Sequence, residues 1–352
     1  SSNRLCLRAG RVMNYGDGIY GGMFVSGMYA AAYLENDPRK VVEAGLATIP
    51  ARSPYALLIS DVLTWSKQHP DDWKAVWRLI EQKWNRREPC PEGALKPFNI
   101  DAKLNGAYIA LGLLYGKGDF AKTLDVSTRA GQDSDCNPAN ACGVLGVMLG
   151  YQRIPDVWKS GIPALADRKF KYTDFSFRSI VASTEKRAIA MVQREGGRLE
   201  GKGLVVTPQT PQPAALELWD DYGSPVERVG ASVPRWKWTG AWRPGQNARI
   251  ASERGASAEA GFEGTGVIVT GQYLATGGKA DVYLDGRMVQ TVDAYPDEDS
   301  TKSGESVWHA FRLPARKHTV RVVVRGEPYP GSRGSDISIS DCMWMLPGSP
   351  MP

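Results

Sequence analysis

Two aspartates one residue apart are the first place in this chain where residue types and spacing could do chemistry. They lie in AGQDSDCNPANACGVLGVMLGY, residues 130–151, where Asp133 and Asp135 stand in a polar turn ahead of Asn137-Pro138 and a run of small apolar residues. Residues i and i+2 of a turn can aim both carboxylates to one side. A hard divalent cation such as Mg²⁺ is commonly held by one or two carboxylates and several waters. The apolar run reads as a buried helix, whose unpaired N–H groups and positive dipole end come close to the same acids. Asp133, Ser134 and Asn137 therefore also fit an ordinary helix cap. Spacing alone leaves both readings standing.

Other chemistries find less support. The histidines are His69, His309 and His318, and no G-x-S-x-G elbow is present for a serine hydrolase. The glycine-rich YGDGIYGG lacks the Lys-Ser/Thr ending of a phosphate loop. Cys6, Cys90, Cys136, Cys142 and Cys342 are scattered without a CxxC pair, so neither a zinc ribbon nor a disulfide framework is indicated. Cys136 has no histidine near it in sequence to make it a nucleophile, and Cys142 reads as packing. Two further acid pairs, Asp71-Asp72 in HPDDW and Asp220-Asp221 in WDDY, read as a helix cap and as part of a linker.

The elements that must position these residues are helical from about Asp17 to Arg194. Asp37-Pro38, Ser53-Pro54 and Pro70-Asp71-Asp72 are helix starts, and apolar residues follow at three- and four-residue steps. Gly116-Lys117-Gly118-Asp119 breaks two further helices, 101–115 and 120–129, and Gly143, Gly146 and Gly150 punctuate the helix expected from Pro138 to Leu149. Past residue 195 the composition changes. Gly and Pro clusters over 196–230 read as a linker, and short alternating runs over 231–348 read as a β-sandwich of jelly-roll type. Leu284-Asp285-Gly286-Arg287 carries a strong hairpin-turn signal. The expected architecture is multidomain: an all-α domain over 1–195, the linker, and the sandwich.

Composition sets the outer bounds. The chain has 352 residues and a formal charge of +5, with 42% hydrophobic and 23% charged residues. No Lys/Arg block predicts a nucleic-acid partner, and no apolar run is long enough for a helical membrane span. The chain opens on Ser with no signal peptide in view, as expected of a processed product or a fragment. In the sandwich, Trp236, Trp238 and Trp242 cluster in PRWKWTGAW and Trp308 lies on a strand. Such residues either fill a core or offer flat faces to sugar rings. If they bind glycan, a secreted or periplasmic setting is expected.

The motif 130–151 with IPDVW after it, together with NYGDGIYGGMFVSGMYAAAYLENDP and FNIDAKLNGAYIALGLLYGKGDF, resembles the ADP-ribosylglycohydrolase family, of the dinitrogenase-reductase-activating glycohydrolase type. The likeness runs from about Asn14 to Asp174. It implies an all-helical fold and a pair of Mg²⁺ ions, with Mn²⁺ as substitute, that hold a ribose and activate water for cleavage of an N- or O-glycosidic bond. Asp133 and Asp135 would be the catalytic metal ligands, with position 136 supplying a third. That position is ordinarily Thr and here is Cys136, a soft donor that suits Mg²⁺ poorly. Asn14 and Asp17, with Tyr20 beside them, would touch the substrate, although the same turn reads as a helix entry capped by Asp17. The family's first acidic motif has no counterpart upstream of Asn14, so the expectation is either that an N-terminal portion carrying it has been lost or cleaved, to remain as a separate chain in one case, or that only half a metal site is present. Two ions require the missing ligands to be supplied. The second segment of the chain, GKADVYLDGRMVQTVDAY with SVWHAFRLPARKHTVRVVVRG, resembles galactose-binding-like modules. The implied partner is a glycoside or an ADP-ribosylated substrate, with glycan at the sandwich. The alternative is a carbohydrate-binding protein on a degenerate hydrolase scaffold.

Overall fold

A computed structural model describes residues 2–85, 99–201, 203–218, 222–296 and 300–347. The chain divides into two compact units, one of residues 1–83 and 100–217, the other of 84–99 and 218–352. The first is helical: α1 (Ser2–Gly10), α2 (Asp17–Ala32), α3 (Pro38–Leu46), α4 (Pro54–Gln68), α5 (Trp73–Trp84), α6 (Ala102–Gly116), α7 (Phe120–Arg129), α8 (Cys136–Leu149), α9 (Ile162–Leu165) and α10 (Phe177–Arg194). The starts obey local chemistry. The Asp37 carboxylate accepts from the Arg39 N–H, Ser53 Oγ from the Ala56 N–H, and Asp119 from the Lys122 N–H, each ahead of a helix whose apolar face turns inward.

Helix α6 is the axis of this unit. Every residue from Gly106 to Gly116 is buried, so the helix is apolar all round rather than amphipathic. Helices α2, α3, α4, α7 and α8 pack against it. Close approach to α7 depends on two glycines, because a Cβ on Gly112 would stand 2.7 Å from Ser127 Cβ and one on Gly116 would strike Thr123 Oγ1 at 1.9 Å. Of the three glycines read from α8, Gly143 alone is needed for contact, facing the Tyr29 hydroxyl at 2.0 Å. Gly146 has ordinary room, and Gly150 closes the helix with a φ of 72°. The IPDVW segment follows as short 3₁₀ turns, with Trp158 packed 5.9 Å from Phe120 at the start of α7.

The expected linker divides differently from its composition. After the hairpin β1 (Arg198–Glu200) and β2 (Gly203–Val205), residues up to Glu217 stay with the helical unit, and a sandwich strand already begins at Ser224. Asn3 donates to the Gln212 carbonyl at 3.0 Å, the Tyr20 hydroxyl donates to the Ala215 carbonyl at 2.8 Å, and the Glu217 N–H donates back to that hydroxyl at 2.7 Å. Polar backbone groups of a proline-rich stretch have thus found partners on α1 and α2. Residues 209–217 form a strap on the helical unit rather than a free connector.

The second unit is antiparallel throughout its named strands: β3 (Ser224–Gly230), β4 (Trp236–Thr239), β5 (Arg243–Gly245), β6 (Ala248–Ala251), β7 (Ser257–Gly264), β8 (Gly266–Tyr273), β9 (Gly278–Leu284), β10 (Arg287–Asp293), β11 (Lys302–Ala310), β12 (Arg316–Pro328), β13 (Ile337–Ile339) and β14 (Asp341–Leu346). They form sheets of order β10-β9-β12-β7-β4, β11-β8-β14-β3 and β13-β6-β5. Period-two burial is plainest on β12, where His318, Val320, Val322 and Val324 point inward. The Asp285-Gly286 turn joins β9 to β10 with both residues at positive φ, 52° and 78°, as a two-residue hairpin of the primed type requires. A helical domain followed by a β-sandwich is the architecture expected from the sequence.

Candidate active site

The loop between α7 and α8 is held by residues of other helices. Where α7 ends, the Trp77 indole N–H of α5 bonds the Ala130 carbonyl at 2.8 Å. Gly131 and Gln132 then turn the chain through the left-handed region, with φ of 88° and 58°. The Asn105 side chain of α6 fixes what comes next. Its Oδ1 accepts from the Asp133 N–H at 3.1 Å and from Asn137 Nδ2 at 2.8 Å. Asn137 is almost fully buried, and its amide also reaches the Gly131 carbonyl at 3.4 Å. An acceptor oxygen with two lone pairs is thereby filled, and the loop is tied at both ends to the most buried helix of the unit.

The loop leaves three donor atoms side by side. Ligand atoms of Asp133, Asp135 and Cys136 all lie within 4.8 Å of one another, with Asp133 half-buried and the other two exposed. The capping reading is corrected in part. The N-cap of α8 is Asp135, which makes no side-chain cap bond, and Ser134 Oγ turns to the Gln132 carbonyl. Asn137 lies inside the helix and is spent on Asn105. Asp133 alone serves the first turn, its Oδ1 accepting from the Cys136 N–H at 3.2 Å. Helix α8 also starts two residues earlier than expected, at Cys136, so Pro138 falls in its first turn where a missing N–H does no harm.

Electrostatics follow from the crowding. Hydrogen bonding with the Asp135 side chain, then with the Cys136 thiol and the amides of both, holds Asp133 below the usual carboxylate range against a smaller opposing effect of burial. The Cys136 thiol is pushed up, first by its hydrogen bond to Asp133 and then by the charge of that carboxylate. A thiol so placed stays protonated in the metal-free protein, which disfavours it as a nucleophile.

The other proposed contacts sit on the α1–α2 turn. Asn14 is exposed, and its side chain folds over the first turn of α2 so closely that a Cβ on Gly18 would meet its Oδ1 at 2.8 Å. Asp17 starts α2, and its Oδ1 accepts from the Tyr55 N–H in the first turn of α4 at 3.2 Å. It therefore acts as a bracket between two helix starts. The Tyr55 ring, buried, runs on to α6, where a Cβ on Gly106 would overlap its hydroxyl at 1.7 Å. Burial, and then the charges of Asp17 and Asp101, raise that phenol far above its ordinary pKa. The Asp17 carboxylate thus fixes the start of α4, whose Tyr55 ring packs on α6 at Gly106. Tyr20 is a correction. It is fully buried, and its hydroxyl is occupied on both sides by the strap, so it packs the unit instead of meeting a ligand at the surface.

Sequence reasoning missed Asn105, Trp77 and Glu217. The one available signal was Asn105-Gly106, two poor helix formers just past the first turn of a Leu- and Ala-rich helix. Glu217 has an 11% exposed side chain, accepts from the Gly16 N–H at 3.0 Å and is paired with Arg11. In the sandwich, of the two readings left open for the tryptophans, core packing holds for Trp236 and Trp308. Trp238 is packed between Trp236 at 5.3 Å and the Arg249 guanidinium at 4.8 Å, while Trp242 meets its edge at 4.8 Å. Tyr295 and Tyr329, stacked at 5.5 Å, are a second aromatic pair, and Tyr329 is 37% exposed. The WDDY aspartates, Asp220 and Asp221, and Cys90 lie outside the described residues.

Comparison with known proteins bears on the helical unit. The profile of the ADP-ribosylglycohydrolase family matches residues 4–183. Two curated proteins of Flavonifractor plautii are similar. One, the A type blood N-acetyl-alpha-D-galactosamine deacetylase, is 30% identical over 175 residues, 48% of this chain and 21% of its own length. The other, the A type blood alpha-D-galactosamine galactosaminidase, is 33% identical over 95 residues, 25% of this chain and 8% of its own length. The chain thus spans about a fifth or less of these relatives. Among solved structures, the CBM36-1 domain of a multidomain xylanase from the hindgut metagenome of Trinervitermes trinervoides aligns at a TM-score of 0.25 and 13% identity, over 33% of this chain and 94% of that one.

Proposed function

The chain belongs to the ADP-ribosylglycohydrolase family, and from that premise we propose that its helical unit hydrolyses a glycosidic bond using a divalent cation held at residues 133–135. The observation that supports this reading most is the Asp133–Asp135 pair, whose loop is positioned by Asn105 while Asp135 makes no cap bond to the helix. The donor set fits one cation: two neighbouring carboxylates, with water completing the shell. In the same loop, Gln132 Oε1 is buried without a hydrogen-bond partner, an acceptor that a water of such a shell would satisfy. A cation so held would polarise a substrate oxygen and lower the pKa of a bound water.

The chain's own residues have distinct tasks in this reading. Asn105 and Trp77 hold the loop so that both carboxylates stay on one side, which removes reorganisation from the reaction. Asn14, exposed on the α1–α2 turn, is the group available to hydrogen-bond a sugar hydroxyl, while Asp17 keeps that turn fixed against α4. ADP-ribosyl groups follow from the family, and amino-sugar glycosides follow from the names of the two relatives. The sandwich would hold glycan, with Tyr295 and Tyr329 offering the aromatic surface, and a secreted or periplasmic setting accords with that.

A second reading is favoured by one observation: among the described residues, no other acidic cluster with metal-ligand spacing accompanies 133–136. A centre of two ions would then need ligands from elsewhere, and without them the helical unit would be a scaffold beside a glycan-binding sandwich. Calorimetric titration of Mg²⁺ and Mn²⁺, with assays for released ADP-ribose and released amino sugar, decides between these. The hydrolase reading expects cation binding that disappears in Asp133→Ala and one of the two products. Glycan binding without cation binding or product would establish the scaffold reading.

A further inference from the structure

Resting on the reading that Asp133 and Asp135 hold a divalent cation, we propose that Cys136 supplies the third protein ligand and that the centre selects a borderline ion of the Zn²⁺ or Co²⁺ type over Mg²⁺. The argument begins with the donor set itself. Asp133, Asp135 and Cys136 present two oxygens and one sulfur within 4.8 Å of one another. A tetrahedral ion with metal–oxygen and metal–sulfur bonds of ordinary length brings such donors to about 3.5 Å apart. Closing the remaining distance of about 1 Å takes side-chain rotation only. Asp135 and Cys136 are exposed, Asp135 is not committed to capping, and the side-chain partner of each is Asp133 itself, so both can turn about that carboxylate to meet an ion beside it. Asp133 is the fixed member, its amide held by Asn105 and its carboxylate by the Cys136 amide.

Ligand chemistry then decides which ion fits. Mg²⁺ demands near-octahedral oxygen coordination and keeps its waters, so a sulfur in the shell works against it. Thiolate favours Zn²⁺ and its neighbours, while carboxylate tolerates them. Three protein ligands and one open position is the arrangement found in catalytic rather than purely structural zinc sites. As the metal–sulfur bond forms, the thiol proton passes to solvent, and nothing is oxidised or reduced. The partner of this thiol without metal is the Asp133 carboxylate, the neighbour with which it would share an ion. Cys142, six residues on, is buried beside the Phe120 carbonyl, and His309 and His318 belong to the other unit.

The test uses the whole chain stripped with chelator and titrated separately with Co²⁺, Zn²⁺ and Mg²⁺, beside Cys136→Thr and Asp133→Ala. The expected result is one Co²⁺ per chain with a near-ultraviolet thiolate-to-cobalt charge-transfer band. Cys136→Thr should lose that band and bind Zn²⁺ at least about tenfold more weakly, with Mg²⁺ binding unchanged or improved. Circular dichroism would confirm that the variant is folded, since Cys136 is exposed and threonine is tolerated in a first helical turn. Co²⁺ bound without the band, and equal Zn²⁺ affinity in wild type and Cys136→Thr, would overturn the proposal while leaving the cation reading intact. Absence of any cation from both proteins would overturn the cation reading and this proposal with it.

Discussion

Two acid-bearing turns open two helices of the same unit, and they are built to opposite ends. At the start of α2, Asp17 is committed: its carboxylate serves the Tyr55 amide of a neighbouring helix, and Glu217 is fastened to the Gly16 amide just before it. At the start of α8, Asp135 makes no cap bond, and Asp133 gives one oxygen to the local backbone. The difference is where the holding force comes from. The α2 turn uses its own acid to fix itself, whereas the α8 loop is fixed by Asn105 and Trp77, amide and indole groups that carry no charge. An acid near a helix N-terminus is available for other chemistry when something else secures the turn. That contrast, more than the spacing of the aspartates, supports the proposal that takes Asp133 and Asp135 as ligands and Asp17 as a cap.

The contrast can be broken most severely at the proposed ligands. Asp133→Ala and Asp135→Ala should each weaken cation binding by about 100-fold or more, taking the upper range seen for lesser, outer-shell changes as a floor, while thermal unfolding of the metal-free protein shifts little in Asp135→Ala and by the loss of one helix cap, about 1 kcal/mol, in Asp133→Ala. Calorimetry and melting curves on the same samples check both halves. Asn105→Ala should act on both readouts. It leaves the buried Asn137 amide and the Asp133 N–H without their acceptor, a loss of about 1–3 kcal/mol in urea unfolding, together with about tenfold weaker cation binding. Asp17→Ala should cost about 1 kcal/mol of stability through the Tyr55 turn and leave the cation affinity untouched. A large effect of Asp17→Ala on cation affinity would erase the distinction drawn here.

The smallest effect is expected from pH. Because Asp133 has a folded-state pKa below its ordinary value, it contributes stability that is fully present above the unfolded value of about 3.9. That contribution is lost as pH falls through the lowered folded-state value. Protonation of Asp133 should therefore add to the weakening of cation binding only below about pH 4, beneath the steady fall with decreasing pH that release of the Cys136 thiol proton imposes on a thiolate-bound ion. A pH series of Zn²⁺ titrations on Cys136→Thr, which removes the thiol, measures the Asp133 part alone, and a decline centred near pH 6 in that variant would show that another group governs the site.

How much of this was legible in the sequence depended on how local each interaction is. Helix starts at Asp37, Ser53 and Asp119 declared themselves because a cap bonds two or three residues ahead. The Asp285-Gly286 hairpin did so because a positive φ at both turn positions selects for those residue types. The Asp133–Asp135 pair was visible for the same reason. Asn105 was not, because its partners lie 28 and 32 residues away and nothing in its neighbours encodes them. Tyr20 was misread for a related cause: the groups that occupy its hydroxyl are 195 and 197 residues further along the chain. The tryptophans of PRWKWTGAW were ambiguous by nature, since core packing and sugar stacking ask for the same side chain, and strand register decided between them.

The strap on α1 and α2 also bears on where the helical unit can be cut. The family's signature stops at residue 183, and α10 ends at Arg194, so either would look like a natural place to divide the gene. A polypeptide ending there would wet the Tyr20 phenol, strip Arg11 of its carboxylate and leave the Gly16 amide facing bulk water. The smallest faithful version of the helical unit therefore runs through Glu217, and a shorter one would report on a damaged α2 rather than on the chemistry of the loop.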